Sequence, residues 1–538
     1  MKSSLLIVVF SLILAAGICC AGCTTAPPSG TSVSASPPPA QQAFHSPTGA
    51  ELNETIARFD TYAENARQEW NVPGMAIAIV KDGRIVFVKG YGVKTAGGTD
   101  PVTPDTVFQI GSTSKAFTAA LAAMEVDSGR MNWNDPVVRY VPDFQMNDPW
   151  VTKEYTITDS MAQRSGIGDH WGTGLPMIGF NRSDMIHALR YAVPVSSFRS
   201  QYMYQNIPFI ATAAAIENTS GKSWEENLQS RIFTPLDMSS ASASYAAFRS
   251  APDHVSLHTV GVLPNNTVGP IVTDPNGQFN NVSYDFGPAG GINADVKDMA
   301  TWTIFQLGNG TFEGKELISP ESMAYMHTPR TPMADVMTDS KSYYCQGWIY
   351  QELNGSPPFY WHNGETLGNH AMILFVPGEN LGIVILANEA GPSLPDALAL
   401  SFYGQYFGRE NTDISALYLK QFQETSGALL APKPARPVNA APPLPLTKYT
   451  GSYTDDLYGN AIVAEQDGNL TLRFGKKPIT LVLSPWDGNT FASSCLLLGP
   501  QGDGKVMFST GPDGTVRQLI VSPLFGTGNT RFVRTGAG

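Results

Sequence analysis

Gly111 to Leu121 reads GSTSKAFTAAL and sets Ser112 three residues ahead of Lys115 at the start of an apolar stretch. Residues three apart on a helix share a face. Upstream, Thr106 to Gly111 (TVFQIG) has strand character, so Ser112 follows a strand and opens a helix, where the first N–H groups lack intrahelical partners. A lysine buried at that point sheds its proton and can activate the serine. The alternative is a serine that caps the helix beside a solvated lysine. Phe117, Leu121 and Met124 fall on one face of the same stretch, which predicts a core-facing helix.

Outward from this motif the periodicities alternate between strand and helix. Glu51 to Glu69 carries Ile56, Phe59 and Tyr62 at three-residue spacing and predicts an amphipathic helix. Gly74 to Gly92 (GMAIAIVKDGRIVFVKGYG) predicts a hairpin turning at Asp82-Gly83. Asp184–Tyr191 and Ile207–Asn218 read as helices. Trp361 to Asn388 returns to strand character with a hairpin around Gly378, and PDALALSFYGQYFG is a late helix. Strands at both ends with helices between predict an α/β protein of α+β type. Its antiparallel sheet, flanked by helices, is built from both termini and interrupted by an inserted helical subdomain, over residues 49–425. A Pro-rich linker follows at 426–446. From 447 to 538 short alternating strands turn at Asp467-Gly468, Asp487-Gly488 and Asp513-Gly514, which predicts a small all-β barrel.

Bulk properties narrow the function classes. At 538 residues the chain exceeds one core, and 42% hydrophobic with 15% charged residues describes a globular protein. A net charge of -12 argues against nucleic acid as a partner. Lys2, the apolar run Leu5–Ile18 and the small-residue zone ending Ala21-Gly22-Cys23 make residues 1–23 a signal peptide, a lipoprotein anchor lipidated at Cys23, or an uncleaved span. Each reading exports the protein, and the lipid anchor or uncleaved span holds its N-terminus at a membrane surface. Residues 24–48, rich in Pro and Ser, form a tether. Cys345 and Cys495 allow one disulfide, and Asn-x-Ser/Thr sequons such as Asn53 and Asn181 are compatible with surface glycosylation.

Further elements occur in a fixed order. They are VPGMAIAIVKDGRIVFVKGYG from Val72, GSTSKAFTAAL from Gly111, MAQRSGIGD at Met161–Asp169, YQN at Tyr204–Asn206, GPAGGINADVKDMATW from Gly287, and WHNG at Trp361–Gly364. Together they resemble the serine β-lactamase and penicillin-binding-protein superfamily, and most nearly its class C β-lactamase-related serine hydrolases. The C-terminal barrel resembles the lipocalin-like domain appended to some members.

The resemblance implies an acyl-enzyme mechanism on amide or ester bonds, as in a peptidase, carboxypeptidase or esterase. Ser112, Lys115 and Tyr204 would be catalytic. Tyr204 offers a phenol, or a phenolate where a cation lowers its pKa. Asn206 would hold a substrate carbonyl or the lysine. His362 and Gly364 would flank the substrate, glycine letting its backbone approach. The N–H groups of Ser112 and Glu365 would form the oxyanion hole. No metal and no cofactor are implied; the partner is a small peptide or ester substrate, with association of copies through the barrel a further expectation. Class C β-lactamases carry Lys-Thr-Gly where this chain has His362-Asn363-Gly364, which predicts weak or no β-lactamase activity. Two other classes compete. His254 and His258 sit four apart, but HVSLH lacks a catalytic glutamate for a metal hydrolase. A silent binding protein on the same fold would not need Ser112, Lys115 and Tyr204 together.

Overall fold

A computed structural model describes residues 46–334, 340–409, 412–432, 435–493, 504–524 and 528–537. Cys23 and Cys495 lie outside the described residues. Cys345 is buried and forms no disulfide among the described residues. Among the described residues no helix is long and apolar enough to cross a membrane.

Asp82 and Gly83 both take left-handed backbone, φ 51° and 72°, and turn β1 (Gly74–Lys81) into β2 (Arg84–Gly92). The body sheet continues through β3 (Thr331–Pro332), β4 (Ser340–Tyr344), β5 (Ile349–Leu353), β6 (Phe359–Glu365), β7 (His370–Val376) and β8 (Leu381–Ala387). Its order is β2-β1-β8-β7-β6-β5-β4-β3, so the first hairpin lies beside the last strand, with Met75 opposite Ala387. This is the sheet built from both ends of the body that the alternation of periods predicts.

The central strands are apolar at nearly every position because both faces are covered. Ala76, Ala78, Ile373 and Val384 enter one core with Phe117 and Trp302. Met75, Ile77, Leu374 and Ile383 enter the other with Phe59 of α1 (Gly49–Glu69) and Phe402. The Ser112 stretch leads into α2 (Ser114–Asp127), buried from Ser114 to Glu125, which is why it shows no polar face. Asn206 immediately precedes α3 (Ile207–Ser220), α4 spans Val296–Leu307 and α5 spans Leu394–Tyr406.

One register detail positions the site. The β5–β6 ladder runs from Gln351–Phe359 to Ile349–Trp361. His362 to Glu365 extend beyond it, paired with β7 on the other side.

The C-terminal region is a closed eight-stranded barrel: β9 (Gly451–Asp455), β10 (Gly459–Gln466), β11 (Asn469–Phe474), β12 (Ile479–Asp487), β13 (Thr490–Ser493), β14 (Gly504–Thr510), β15 (Val516–Leu524) and β16 (Gly528–Ala537), with β9 closing on β16. Inward aromatics fill it, Phe474 against Phe532 at 5.7 Å and Phe491 against Phe508 at 5.5 Å. The linker touches the barrel at Ala441, whose N–H donates to Asp487 Oδ1 at 2.8 Å and whose carbonyl accepts from Gly488 N–H at 2.9 Å. The β11–β12 turn docks on the body. Lys477 N–H donates to Ile178 O at 2.8 Å, and Lys476 pairs with Asp184. At Gly179, φ 87°, a Cβ would fall 2.5 Å from Lys477 Cβ, so the two backbones meet without room for a side chain.

Candidate active site

Ser112 sits in a short 3-10 turn, Gly111–Thr113, leading into α2, and is partly exposed. Gly111 has φ 53°, and a Cβ there would lie 2.6 Å from Glu365 N. A Cβ on Gly364 would lie 2.0 Å from Ile110 O and 2.7 Å from Ser112 N. The two glycines therefore let the serine turn press directly on the end of β6. The sequence suggests that Gly364 admits a substrate backbone; here the backbone it admits is the chain's own.

Lys115 is fully buried. Its Nζ lies 3.1 Å from Ser112 Oγ, 2.7 Å from Asn206 Oδ1 and 2.9 Å from Ala289 O. It also stands 4.6 Å from the Tyr204 ring centroid. All three hydrogen-bond partners are uncharged. Burial accordingly drives its pKa well below the usual lysine value. The spacing of Ser112 and Lys115 thus yields contact, and Asn206 holds the lysine. Ala289 O, from the GPAGG stretch, is a partner that no local pattern announces.

Tyr204 is enclosed by rings: His170 at 5.1 Å, and Tyr344 and His362 each at 6.4 Å. Burial raises its pKa, with a hydrogen bond to Ser112 acting the other way. A phenol, not the phenolate that a nearby cation would favour, is the form at neutral pH. His170 is missed by sequence reasoning. Its backbone φ of 54° is unusual for a side-chain-bearing residue, and its N–H donates to Tyr204 O at 2.8 Å. Burial, then the Lys115 charge, lower its pKa to about 4.

His258 stands on the strand His258–Val262 with both ring nitrogens occupied, Nδ1 2.6 Å from Asn388 O and Nε2 accepting from Ala96 N–H at 2.9 Å. That is a structural histidine.

A β-lactamase profile matches residues 59–403. The chain belongs to the β-lactamase family. In this β-lactamase-family protein residues 435–534 match a second profile, a domain of unknown function (DUF3471), which covers the barrel. The chain is 28% identical over 486 residues to Unguisins hydrolase ungD' of Aspergillus campestris, covering 84% of this chain and 87% of the relative. Protein flp of Staphylococcus aureus is 27% identical over 345 residues, 64% of this chain and 65% of the relative. Among solved structures, an octameric penicillin-binding protein homologue from Pyrococcus abyssi superposes with TM-score 0.58 at 19% identity, covering 89% of this chain and all of that one. SurE superposes with TM-score 0.53 at 19% identity, covering 90% of this chain and all of SurE. Both share the fold.

Within this β-lactamase-family site, His362 is buried. A carbonyl can only accept, so the 2.6 Å contact with Asn363 O puts the proton on Nδ1 and leaves Nε2 to accept from Tyr344 Oη at 3.0 Å. Burial, then Lys115, push its pKa down to about 3. The imidazole is neutral and committed to protein partners.

Proposed function

We propose that the protein is an exported serine hydrolase that cleaves amide or ester bonds of a small peptide or ester through an acyl-enzyme. The observation that carries this reading is a buried Lys115 with three uncharged partners, one of them Ser112 Oγ at 3.1 Å. An amine in that state takes the proton as Ser112 Oγ bonds to the substrate carbonyl carbon. Tyr204, as a phenol, passes a proton to the departing nitrogen or oxygen. The N–H groups of Ser112 and Glu365 receive the developing oxyanion. Water then attacks the acyl carbon and gives its proton to the Tyr204 phenolate, while Lys115 returns its proton to Ser112 Oγ as the acyl–oxygen bond breaks. With His362 neutral and engaged, a substrate without a carboxylate at that position suits the site, so cephalosporins are poor substrates. The relatives named hydrolases support hydrolysis as the reaction class. Residues 1–23, with Cys23 as lipid acceptor, would place this chemistry outside the cytoplasm.

A fluorophosphonate probe tests the assignment. Wild type is expected to be labelled and Ser112→Ala not, with Ser112→Ala folded and inactive on short D- and L-peptides and esters. Labelling or wild-type turnover in Ser112→Ala removes the reading.

A further inference from the structure

Behind the strand that meets Ser112 lies a cluster of charges that the proposed chemistry does not use. Side chains alternate along β6, so His362 and Gly364 face the serine turn while Asn363 and Glu365 face α5. His370, the first residue of β7, stands directly across from Glu365 and shares that face. Its Nε2 is 2.6 Å from Asp396 Oδ2, and its Nδ1 is 3.5 Å from Glu365 Oε2. Asp396, in the first turn of α5, accepts from Asn363 Nδ2 at 2.8 Å through its other oxygen. Both outward positions at the end of β6 are therefore tied through one histidine and one aspartate to β7 and α5.

We propose that His370 is a positioning residue that, clamped between Asp396 and Glu365, fixes the Gly364–Glu365 backbone against the Ser112 turn. The inference rests on the serine hydrolase reading, in which Glu365 N–H receives the oxyanion. Three observations carry it. First, His362–Glu365 run past the end of the β5–β6 ladder, so the sheet holds this segment from one side only. The clamp is a second anchor at the place where the first is missing. Second, the tolerance is small. Gly111 and Gly364 leave no room for a Cβ between the serine turn and β6, so a displacement of Glu365 by a fraction of an ångström alters the spacing of the two N–H groups. Third, the chemistry requires a cation. Two carboxylates around a nearly inaccessible ring repel unless a positive charge stands between them. Burial pulls the His370 pKa down, but Asp396 and then Glu365 outweigh it and raise it to about 10. The ring remains an imidazolium at neutral pH.

The test compares wild type, Ser112→Ala, His370→Gln and Asp396→Asn on a nitrophenyl ester, with phenylboronic acid as a mimic of the tetrahedral intermediate. In His370→Gln, kcat is expected to fall about 10- to 100-fold with KM changed less than about twofold, because a misplaced donor weakens the transition state and not the bound ester. Phenylboronic acid should weaken by a similar factor, while the carboxylic acid product binds as before. Asp396→Asn should show the same split, and the double variant should be no worse than the poorer single. If His370→Gln does not fold, Asp396→Asn alone decides. Wild-type kcat in a folded His370→Gln or Asp396→Asn, or equal loss of boronate and product affinity, overturns the clamp while leaving the serine hydrolase reading intact. Wild-type turnover in Ser112→Ala overturns both.

Discussion

Lys115 and His370 are both nitrogen bases sealed in the same body, on opposite sides of β6, and they are driven to opposite charge states. Lys115 meets a hydroxyl, an amide oxygen and a backbone carbonyl, and burial pushes its pKa well down. His370 meets two carboxylates, and its pKa climbs to about 10 despite burial. Burial alone does not set protonation. The charge of the neighbours decides whether a buried base becomes a proton acceptor or a fixed cation. The two outcomes suit the two roles, chemistry in front of the strand and support behind it.

The severest challenge to this contrast is Lys115→Arg. Arginine keeps a cation and cannot give up its proton. If Lys115 works as an amine, kcat/KM should fall by roughly 10⁴-fold or more, as for loss of any member of a catalytic unit. Near-wild-type hydrolysis of a nitrophenyl ester by a folded Lys115→Arg would make the lysine a charge and not a base.

A pH–rate profile sharpens the same point. Because the active form of Lys115 is the amine, kcat/KM should rise with pH along a limb that ends well below the usual lysine range, and Lys115→Arg should lose that limb. A rise that continues to the ordinary lysine pKa of 10.5 would contradict the lowered value.

The His370 half of the contrast is read in stability. A cationic group raised from 6.5 to about 10 contributes stability fully below pH 6.5 and loses it as pH climbs through 10. Asp396 and Glu365 face the ring directly, and Tyr418 and His362 feel the same Asp396 charge. The urea midpoint of wild type should therefore exceed that of His370→Gln at pH 6 and converge on it toward pH 10.5. A gap independent of pH would mean that the ring packs without its charge mattering.

The smallest expected effect lies furthest from the two bases. The barrel turn Gly475–Lys477 braces Ile178–Gly179, in the segment that continues from His170 beside Tyr204. Truncation after Pro437 should leave a folded, active body whose KM for longer peptides shifts by only a few-fold, since contacts within one chain of this kind are modest. Unchanged selectivity between short and long substrates, with unchanged light-scattering mass, would reduce the barrel to a bystander.

What the sequence shows plainly is local. Asp82-Gly83 turns the first hairpin because both residues tolerate left-handed backbone, and Ser112 meets Lys115 because three residues make nearly one helical turn. Asp467-Gly468 turns a barrel hairpin in the same way, whereas at Asp487-Gly488 and Asp513-Gly514 only the glycine takes left-handed backbone. What it hides depends on register and on tertiary approach. Ala289 O reaches Lys115 only once the inserted helices pack. His370 finds Glu365 only through the β6–β7 pairing, and Asp396 only when α5 lies on the sheet. A Gly364 motif is visible, but its reason, the pressure of Ile110 O and Ser112 N, is not. The protonation of Tyr204 is hidden for the same cause: the sequence gives residue types, whereas a pKa follows from what encloses the ring.

The neighbourhood of β1 and β8 also dictates an order of events. Met75 cannot meet Ala387 until nearly the whole body has been made, so the pairing that joins the first hairpin to the sheet spans more than 300 residues of chain. Until then β1 has only β2 beside it, with an apolar edge uncovered. The barrel has the opposite schedule, since nearly every strand pairs with the one just before it. A chain cut between Lys115 and Leu381 would keep Ser112 and Lys115 in its sequence but leave β1 without its partner β8. β8 contributes no residue to the chemistry, yet it joins the first hairpin to β7 and so to the strand that meets Ser112.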